Sequence, residues 1–164
     1  MKALLLIDIQ KGITRRGLYN KEPFTRTVNR AIEKYREKNC LIIFVQHENK
    51  HLSVGSDDWK IDESILVNKD NKIFSKQKGD AFSNIELVEC LKQNEIKEIL
   101  VGGLVSHGCI KHTCMGGVNN GYDISLIKGG HSCCNNDAEE KIKETEHFLQ
   151  NLGVNIISIE NIYI

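Results

Sequence analysis

Cys109 is the residue whose surroundings best suit it to chemistry. It follows Val101-Gly102-Gly103-Leu104-Val105-Ser106-His107-Gly108, an apolar run broken by glycines, and it stands where a helical pattern begins. A helix N-terminus carries partial positive charge and unpaired N–H groups. Such a place favours thiolate over thiol and offers donors to an oxyanion. The inert alternative is a buried thiol packing a strand–helix turn, since most buried cysteines are small core residues. Asp8 is the second candidate. It ends the apolar run Ala3–Ile7, where a carboxylate is costly unless it is paired or lies at the mouth of a strand. It serves there either as an acid–base group or as a structural acceptor, with Gln10 near enough in sequence to orient it. Lys76 and Lys78 precede Asp80-Ala81-Phe82. Taken singly, each reads as a solvated surface cation.

These residues must be positioned by the elements around them. Ala3–Asp8 and Leu41–Gln46 read as buried parallel strands, with a helix from about Phe24 to Lys38 between them and Pro23 at its start. His47 to Lys72 has no sustained periodicity and reads as a long loop; Ile73 and Phe74 then belong to a short strand. Ser83-Asn84-Ile85-Glu86 has the form of a capping box, which predicts a helix to about Gln93. Glu98–Val101 begins the next strand, which runs into Gly102-Gly103. A helix is expected from about His107 to Asn120, stopped by Gly121. Asp123–Lys128 is a strand, Asn136 or Asp137 caps a last helix ending near Gly153, and Val154–Ile159 is the final strand.

Strands alternating with helices imply an α/β fold: a three-layer α/β/α sandwich, Rossmann-like, with a mainly parallel sheet of five or six strands. Ligands of such sheets bind beyond the carboxyl ends of the strands. That rule singles out Asp8, His47, the Phe74–Lys78 segment and Gly103–Cys109.

A chain of 164 residues fits one domain, here expected to span 1–164. Lys plus Arg and Asp plus Glu both number 22, so no net charge is available to attract nucleic acid or an anionic membrane. No segment reads as a signal peptide or a membrane span. The expected compartment is therefore the reducing cytoplasm, and the six cysteines are expected as thiols rather than a disulfide framework.

Three ordered motifs together resemble the isochorismatase-like superfamily of cysteine hydrolases, which includes nicotinamidases and carbamoylsarcosine hydrolase. Leu4-Leu5-Leu6-Ile7-Asp8-Ile9-Gln10 is similar to the family's opening strand. Lys76-Gln77-Lys78-Gly79-Asp80-Ala81-Phe82, with Leu87 after it, resembles the segment in which a lysine lies six residues before an Ala-Phe phenylalanine. Gly103-Leu104-Val105-Ser106-His107-Gly108-Cys109-Ile110, then Thr113 and Gly121-Tyr122, resembles the nucleophile segment. The resemblance implies a catalytic triad of Asp8, Lys76 and Cys109, with Lys76 favoured over Lys78 by its spacing to Phe82. It also implies an oxyanion hole from the N–H groups of Val105 and Cys109, and a cis peptide at Leu104–Val105. The implied activity is hydrolysis of a small amide or other C–N bond through a Cys109 thioester. The rival readings are vinyl-ether hydrolysis of an isochorismate-type substrate and a catalytically silent binding module. Gln10, His47, Trp59 and Phe82 are the expected substrate-lining residues. No cofactor is expected, the partner is a small molecule, and the resemblance implies a homodimer or homotetramer.

Two departures from the family pattern stand out. Ser106 replaces a usual threonine, and Gly129 stands where an aspartate commonly follows the later strand, which removes an expected support of the site. His47-Glu48-Asn49-Lys50-His51 spells the H-E-x-x-H zinc motif, but it follows a buried strand and lacks an apolar helical face, so it reads as a polar pocket rim with no metal. His107 is expected to cap a helix or touch a partner, and His112 and Cys114 to pack within one.

Overall fold

β1 (Lys2–Ile7) is buried along nearly its whole length because apolar side chains leave it on both sides. Ala3, Leu5 and Ile7 join one apolar cluster while Leu4 and Leu6 join another, as the two-residue period of a strand requires. In the computed structural model, which describes residues 1–164, this strand lies inside a six-stranded sheet. The other strands are β2 (Leu41–His47), β3 (Lys72–Lys76), β4 (Glu98–Leu104), β5 (Asp123–Ser132) and β6 (Asn155–Ile157). Their order is β3-β2-β1-β4-β5-β6 and every pairing is parallel.

Helices cover both faces. α1 (Lys11–Thr14) is a short turn after β1, and α2 (Lys21–Glu37) follows it. α2 turns Phe24, Val28, Ala31, Ile32 and Tyr35 onto the face carrying Leu4, Leu6 and Phe44. α3 (Ile85–Gln93), α4 (Lys111–Asn119) and α5 (Ala138–Asn151) cover the opposite face with Leu87, Leu91, Cys114 and Leu149. The three-layer α/β/α arrangement is thus as the alternating pattern predicts. No helix is long and apolar enough to cross a membrane.

The element boundaries differ from the sequence reading in four places. The first is the start of α3. Asn84, not Ser83, is the N-cap: its Oδ1 accepts from the N–H groups of Glu86 at 2.9 Å and Leu87 at 3.2 Å. Ser83 instead donates its hydroxyl to the Asp80 carbonyl at 2.6 Å. The Asn84 amide also donates to the Ser75 carbonyl at 2.6 Å, which ties the start of α3 to β3 beside Lys76. Asn84→Ala should cost about 1 kcal/mol in urea unfolding, and Asn84→Asp, which keeps the capping oxygen but sets a second oxygen against the Ser75 carbonyl, should recover only part of it.

Second, the predicted helix from His107 begins as a π turn, Ser106–Ile110, with Gly108 kinked to φ −114° and ψ −113°. Third, β5 runs on to Ser132. Val101 pairs with Leu126 but Gly103 pairs with His131, so the ladder is interrupted by an irregularity that contains Gly129 at φ 75°. The fourth is the final strand, which closes after Ile157.

The segment between β2 and β3 has no helix, yet it is tethered. Gln10 and Ile61 form an isolated antiparallel bridge, and the Gly12 N–H donates to the Asp58 carbonyl at 2.9 Å. Lys11 pairs with Asp57 at 3.2 Å and Glu63 at 3.1 Å, and Arg15 with Asp57 at 2.7 Å. The long loop is therefore held across the carboxyl end of β1 by α1, an element the sequence pattern did not reveal.

Candidate active site

The crevice of a doubly wound sheet opens where the winding changes direction, here between the adjacent strands β1 and β4. Asp8 follows β1 and Cys109 lies in the turn after β4, so the two flank that crevice. Lys76 is the last residue of β3 and reaches in from two strands away. Its Nζ donates to Asp8 Oδ2 at 2.9 Å and to Cys109 Sγ at 3.1 Å. It also lies 2.8 Å from His47 Nδ1 and 3.0 Å from the Lys78 carbonyl. An ammonium has three protons, so four acceptors compete for them, and sulfur is the weakest of the four. The side chains of Lys76 and Asp8 are 0% and 2% exposed, so this is a fully closed ion pair.

Asp8 adopts the left-handed conformation, φ 54°, which aspartate tolerates better than most residues. Its N–H donates to the Val45 carbonyl at 2.9 Å, which fixes the backbone. Oδ2 is held by Lys76, while Oδ1 is buried with no hydrogen-bond partner in the protein. A buried acceptor left open beside a thiol suits proton transfer.

Electrostatics correct one expectation. The Cys109 thiol is not lowered by the helix start. Burial pushes it up to about 11 and the Asp8 carboxylate adds to this, against a smaller lowering by Lys76. The sulfur is half-buried in a π turn, and its desolvation is the largest cause of the shift. Burial likewise raises the Asp8 carboxyl above its ordinary value, although Lys76 opposes the shift. Asp8 is therefore a stronger base than a free carboxylate, and the thiol is a group that needs one.

The remaining predicted residues fall into distinct places. Of the two lysines, Lys76 enters the cluster with its ammonium, whereas Lys78 offers only its carbonyl. The Leu104–Val105 peptide is cis, as expected. His47 pairs with Lys76 in strand register and accepts from its ammonium; burial, then Lys76, hold its imidazole below the usual value. Gln10 is fully engaged with backbone: its amide donates to the carbonyls of His47 and Trp59 at 2.9 Å each, and its oxygen accepts from the His47 N–H at 2.9 Å. Gln46 also donates to the Trp59 carbonyl, at 3.0 Å. Trp59 is thus anchored by its backbone near His47, and its buried Nε1 has no partner in the protein. Phe82 packs in the apolar core, its ring centroid 5.5 Å from that of Tyr122.

His51 is exposed in the loop, and Glu48 accepts from Gln77 at 2.9 Å, so the H-E-x-x-H letters form no helical ligand pair. Asp8, His47 and Cys109 do bring ligand atoms within 4.8 Å of one another. The Lys76 ammonium lies within hydrogen-bond distance of all three, and a cation placed among them would meet that buried charge. The donor set therefore suits the ammonium rather than a resident metal ion. His107 is half-buried with Nδ1 unpartnered, and His112 is exposed instead of packed, with Nδ1 2.8 Å from the Gly108 carbonyl.

Two polar residues that sequence reasoning missed, His131 and Glu146, lie behind the nucleophile turn in line with Ser106. Ser106 Oγ is 2.8 Å from His131 Nδ1, and His131 Nε2 is 3.0 Å from Glu146 Oε1. His131 follows the glycines of the β5 irregularity, and no periodic signal marks it. Lys128-Gly129-Gly130 precede it and Ser132 follows it, so no apolar run singles it out.

Comparison with known proteins places this geometry in context. Residues 2–160 match the Isochorismatase domain family. The uncharacterized isochorismatase family protein YrdC of Bacillus subtilis is 29% identical over 132 residues, covering 77% of this chain and 71% of that protein. A solved isochorismatase family protein superposes with a TM-score of 0.90 at 28% identity, over 96% of this chain and 98% of the other. The N-carbamoylsarcosine amidase of Thermoplasma acidophilum shares the fold, with a TM-score of 0.84 at 17% identity over 99% of each chain.

Proposed function

From the fact that the chain belongs to the isochorismatase family of hydrolases, we propose that it hydrolyses a C–N bond of a small amide through a thioester on Cys109. The observation that carries this reading is one ammonium, Lys76 Nζ, in contact with both a buried carboxylate at 2.9 Å and a thiol sulfur at 3.1 Å.

Asp8 takes the proton of the Cys109 thiol, and the sulfur attacks the amide carbonyl carbon. The carbonyl π pair moves to oxygen, which the N–H groups of Val105 and Cys109 receive. The pair returns, the C–N bond breaks, and Asp8 gives its proton to the leaving nitrogen. Water then surrenders a proton to Asp8 and attacks the thioester; the products are a carboxylic acid and the restored thiol. Lys76 keeps its charge throughout and offsets the negative charge that passes between oxygen and sulfur. His47, Trp59 and Gln10 belong in this reading to the rim and its support, with His47 and Trp59 facing the substrate.

Small amides and ureides should be screened for ammonia release by the purified protein, before and after alkylation with iodoacetamide. The reading expects release that alkylation abolishes, and an acid-quenched protein heavier by the acyl group on Cys109. Ammonia release that survives full alkylation of Cys109 would exclude the thioester.

The pH profile follows from the two raised groups. Asp8 must be ionised to accept the thiol proton, so kcat/KM falls as pH drops through its folded pKa, which burial places above 3.8. The thiol, held near 11, should not ionise at the free-cysteine value of roughly 8.5. Alkylation of Cys109 by iodoacetamide, followed against pH, should therefore show no midpoint near that value. A midpoint at that value would mean that the thiol ionises as a free cysteine, whereas a fall in rate at the lower pH where Asp8 takes up its proton is what its role as base requires.

A further inference from the structure

The line Ser106–His131–Glu146 has the composition of a charge relay, but its serine is buried completely and cannot reach a substrate. Its use must be indirect. Ser106 is the residue directly after the cis Leu104–Val105 peptide and three before Cys109. It opens the π turn that carries Cys109, and the Val105 carbonyl in the same turn accepts from the N–H groups of Gly108 at 3.0 Å and Ile110 at 3.3 Å.

The direction of the hydrogen bonds follows from chemistry. A carboxylate only accepts, so His131 donates from Nε2 to Glu146. In the neutral ring Nδ1 then carries the lone pair and accepts from the Ser106 hydroxyl. The one hydroxyl proton is thereby committed, and the first residue of the turn is fixed to β5 and, through Glu146, to α5. His131 reaches this point only because of the β5 irregularity, which brings it opposite Gly103. The same irregularity contains Gly129, where the family pattern led us to expect a supporting aspartate.

We propose that His131 is a positioning residue for the oxyanion hole. Acting through Ser106, with its ring held by Glu146, it keeps the N–H groups of Val105 and Cys109 aimed at the tetrahedral oxygen. This rests on the thioester reading of the site. It predicts a loss in the chemical step and not in substrate affinity, because the misplaced groups act on the transition state.

The test compares His131→Phe, which keeps a ring but no acceptor, with His131→Asn, whose amide oxygen stands near the place of Nδ1. Ser106→Ala and Ser106→Thr repeat the comparison from the other side, should the phenylalanine variant fail to fold. With an amide that the wild type hydrolyses, kcat should fall roughly 10- to 100-fold in His131→Phe and Ser106→Ala. KM should stay within about twofold, and His131→Asn and Ser106→Thr should recover most of the rate. The ring nitrogens of His131, read by 15N spectroscopy in the wild type, should show Nε2 protonated and Nδ1 bare. An unchanged kcat, a loss carried by KM, no recovery in the conservative variants, or the opposite tautomer would each overturn the proposal. The two failures are distinct. A wild type that releases no ammonia, or whose Cys109 is dispensable, removes the hydrolase reading and the catalytic role of His131 with it. An active, Cys109-dependent wild type with indifferent His131 variants removes only this inference.

Discussion

Cys109→Ala should lower kcat/KM for the amide substrate by roughly 10⁴-fold or more, with substrate binding left within about threefold. The size follows from what is lost. Without sulfur no acyl-enzyme forms, and the remaining route is direct attack of water assisted by Asp8, into the same oxyanion donors. Those donors and the rim that holds substrate survive, so a residual rate above the uncatalysed one is also expected. Cys109→Ser should be almost as inactive. A serine hydroxyl gives up its proton far less readily than the thiol near 11, so Asp8 is a much poorer base for it. The half-buried sulfur makes few irreplaceable contacts, so both variants should unfold within about 1 kcal/mol of the wild type. Steady-state kinetics and calorimetric titration with the intact amide check the two halves separately. A Cys109→Ala protein retaining more than a hundredth of wild-type kcat/KM would remove the nucleophile assignment.

How far the sequence carried the site can be judged residue by residue. Asp8, a charge ending a buried aliphatic run, and Cys109, after glycines that break a strand, each stood out as candidates with a structural reading open beside the catalytic one; the three ordered motifs of the family resemblance decided between them. The choice of Lys76 over Lys78 rested on the family resemblance, through its spacing to Phe82; the fold supplies the reason, since Lys76 stands beside His47 in strand register and only its Nζ enters the crevice. What the sequence concealed depends on long-range packing. The thiol was expected to be lowered by a helix end, whereas burial among β1, β3 and β4 raises it, and no local pattern encodes that depth. α1 and the tethered loop were invisible because ion pairs such as Arg15–Asp57 and Lys11–Glu63 leave no periodicity. His131 was missed for the same reason: a register shift in β5, not a motif, turns it toward Ser106. The sheet itself was easier, because five runs of aliphatic residues with helix signals between them leave little choice of architecture; only the short β3, which follows a helix-free loop, is weakly marked.

Lys76→Ala should be the most destabilising single change at the site, costing about 3–5 kcal/mol at pH 8. Its side chain is 0% exposed, and its removal leaves the 2%-exposed Asp8 carboxylate without its cation. Burial already raises the Asp8 pKa above 3.8 while Lys76 lowers it, so removing Lys76 raises it further. The sign of the pH dependence follows. Above that pKa the variant must bury an ionised, unpaired carboxylate, and its deficit against the wild type is largest. As pH falls through it, Asp8 binds a proton and no longer needs a cation. The wild-type Asp8 has the lower pKa of the two, so the change comes first from the variant, and the deficit should narrow by pH 5. The acid limb of kcat/KM should move to higher pH for the same reason, because Asp8 now holds its proton too tightly to act as a base. Lys76→Met separates charge from packing: it refills most of the volume, so any part of the deficit that it fails to restore is electrostatic. Urea unfolding of both variants at pH 8 and pH 5 provides the measurement. A deficit below 1 kcal/mol at pH 8, or one that does not change between the two pH values, would mean that the ammonium does not hold the carboxylate in its charged form, and the proton path from Cys109 to Asp8 would lose its support.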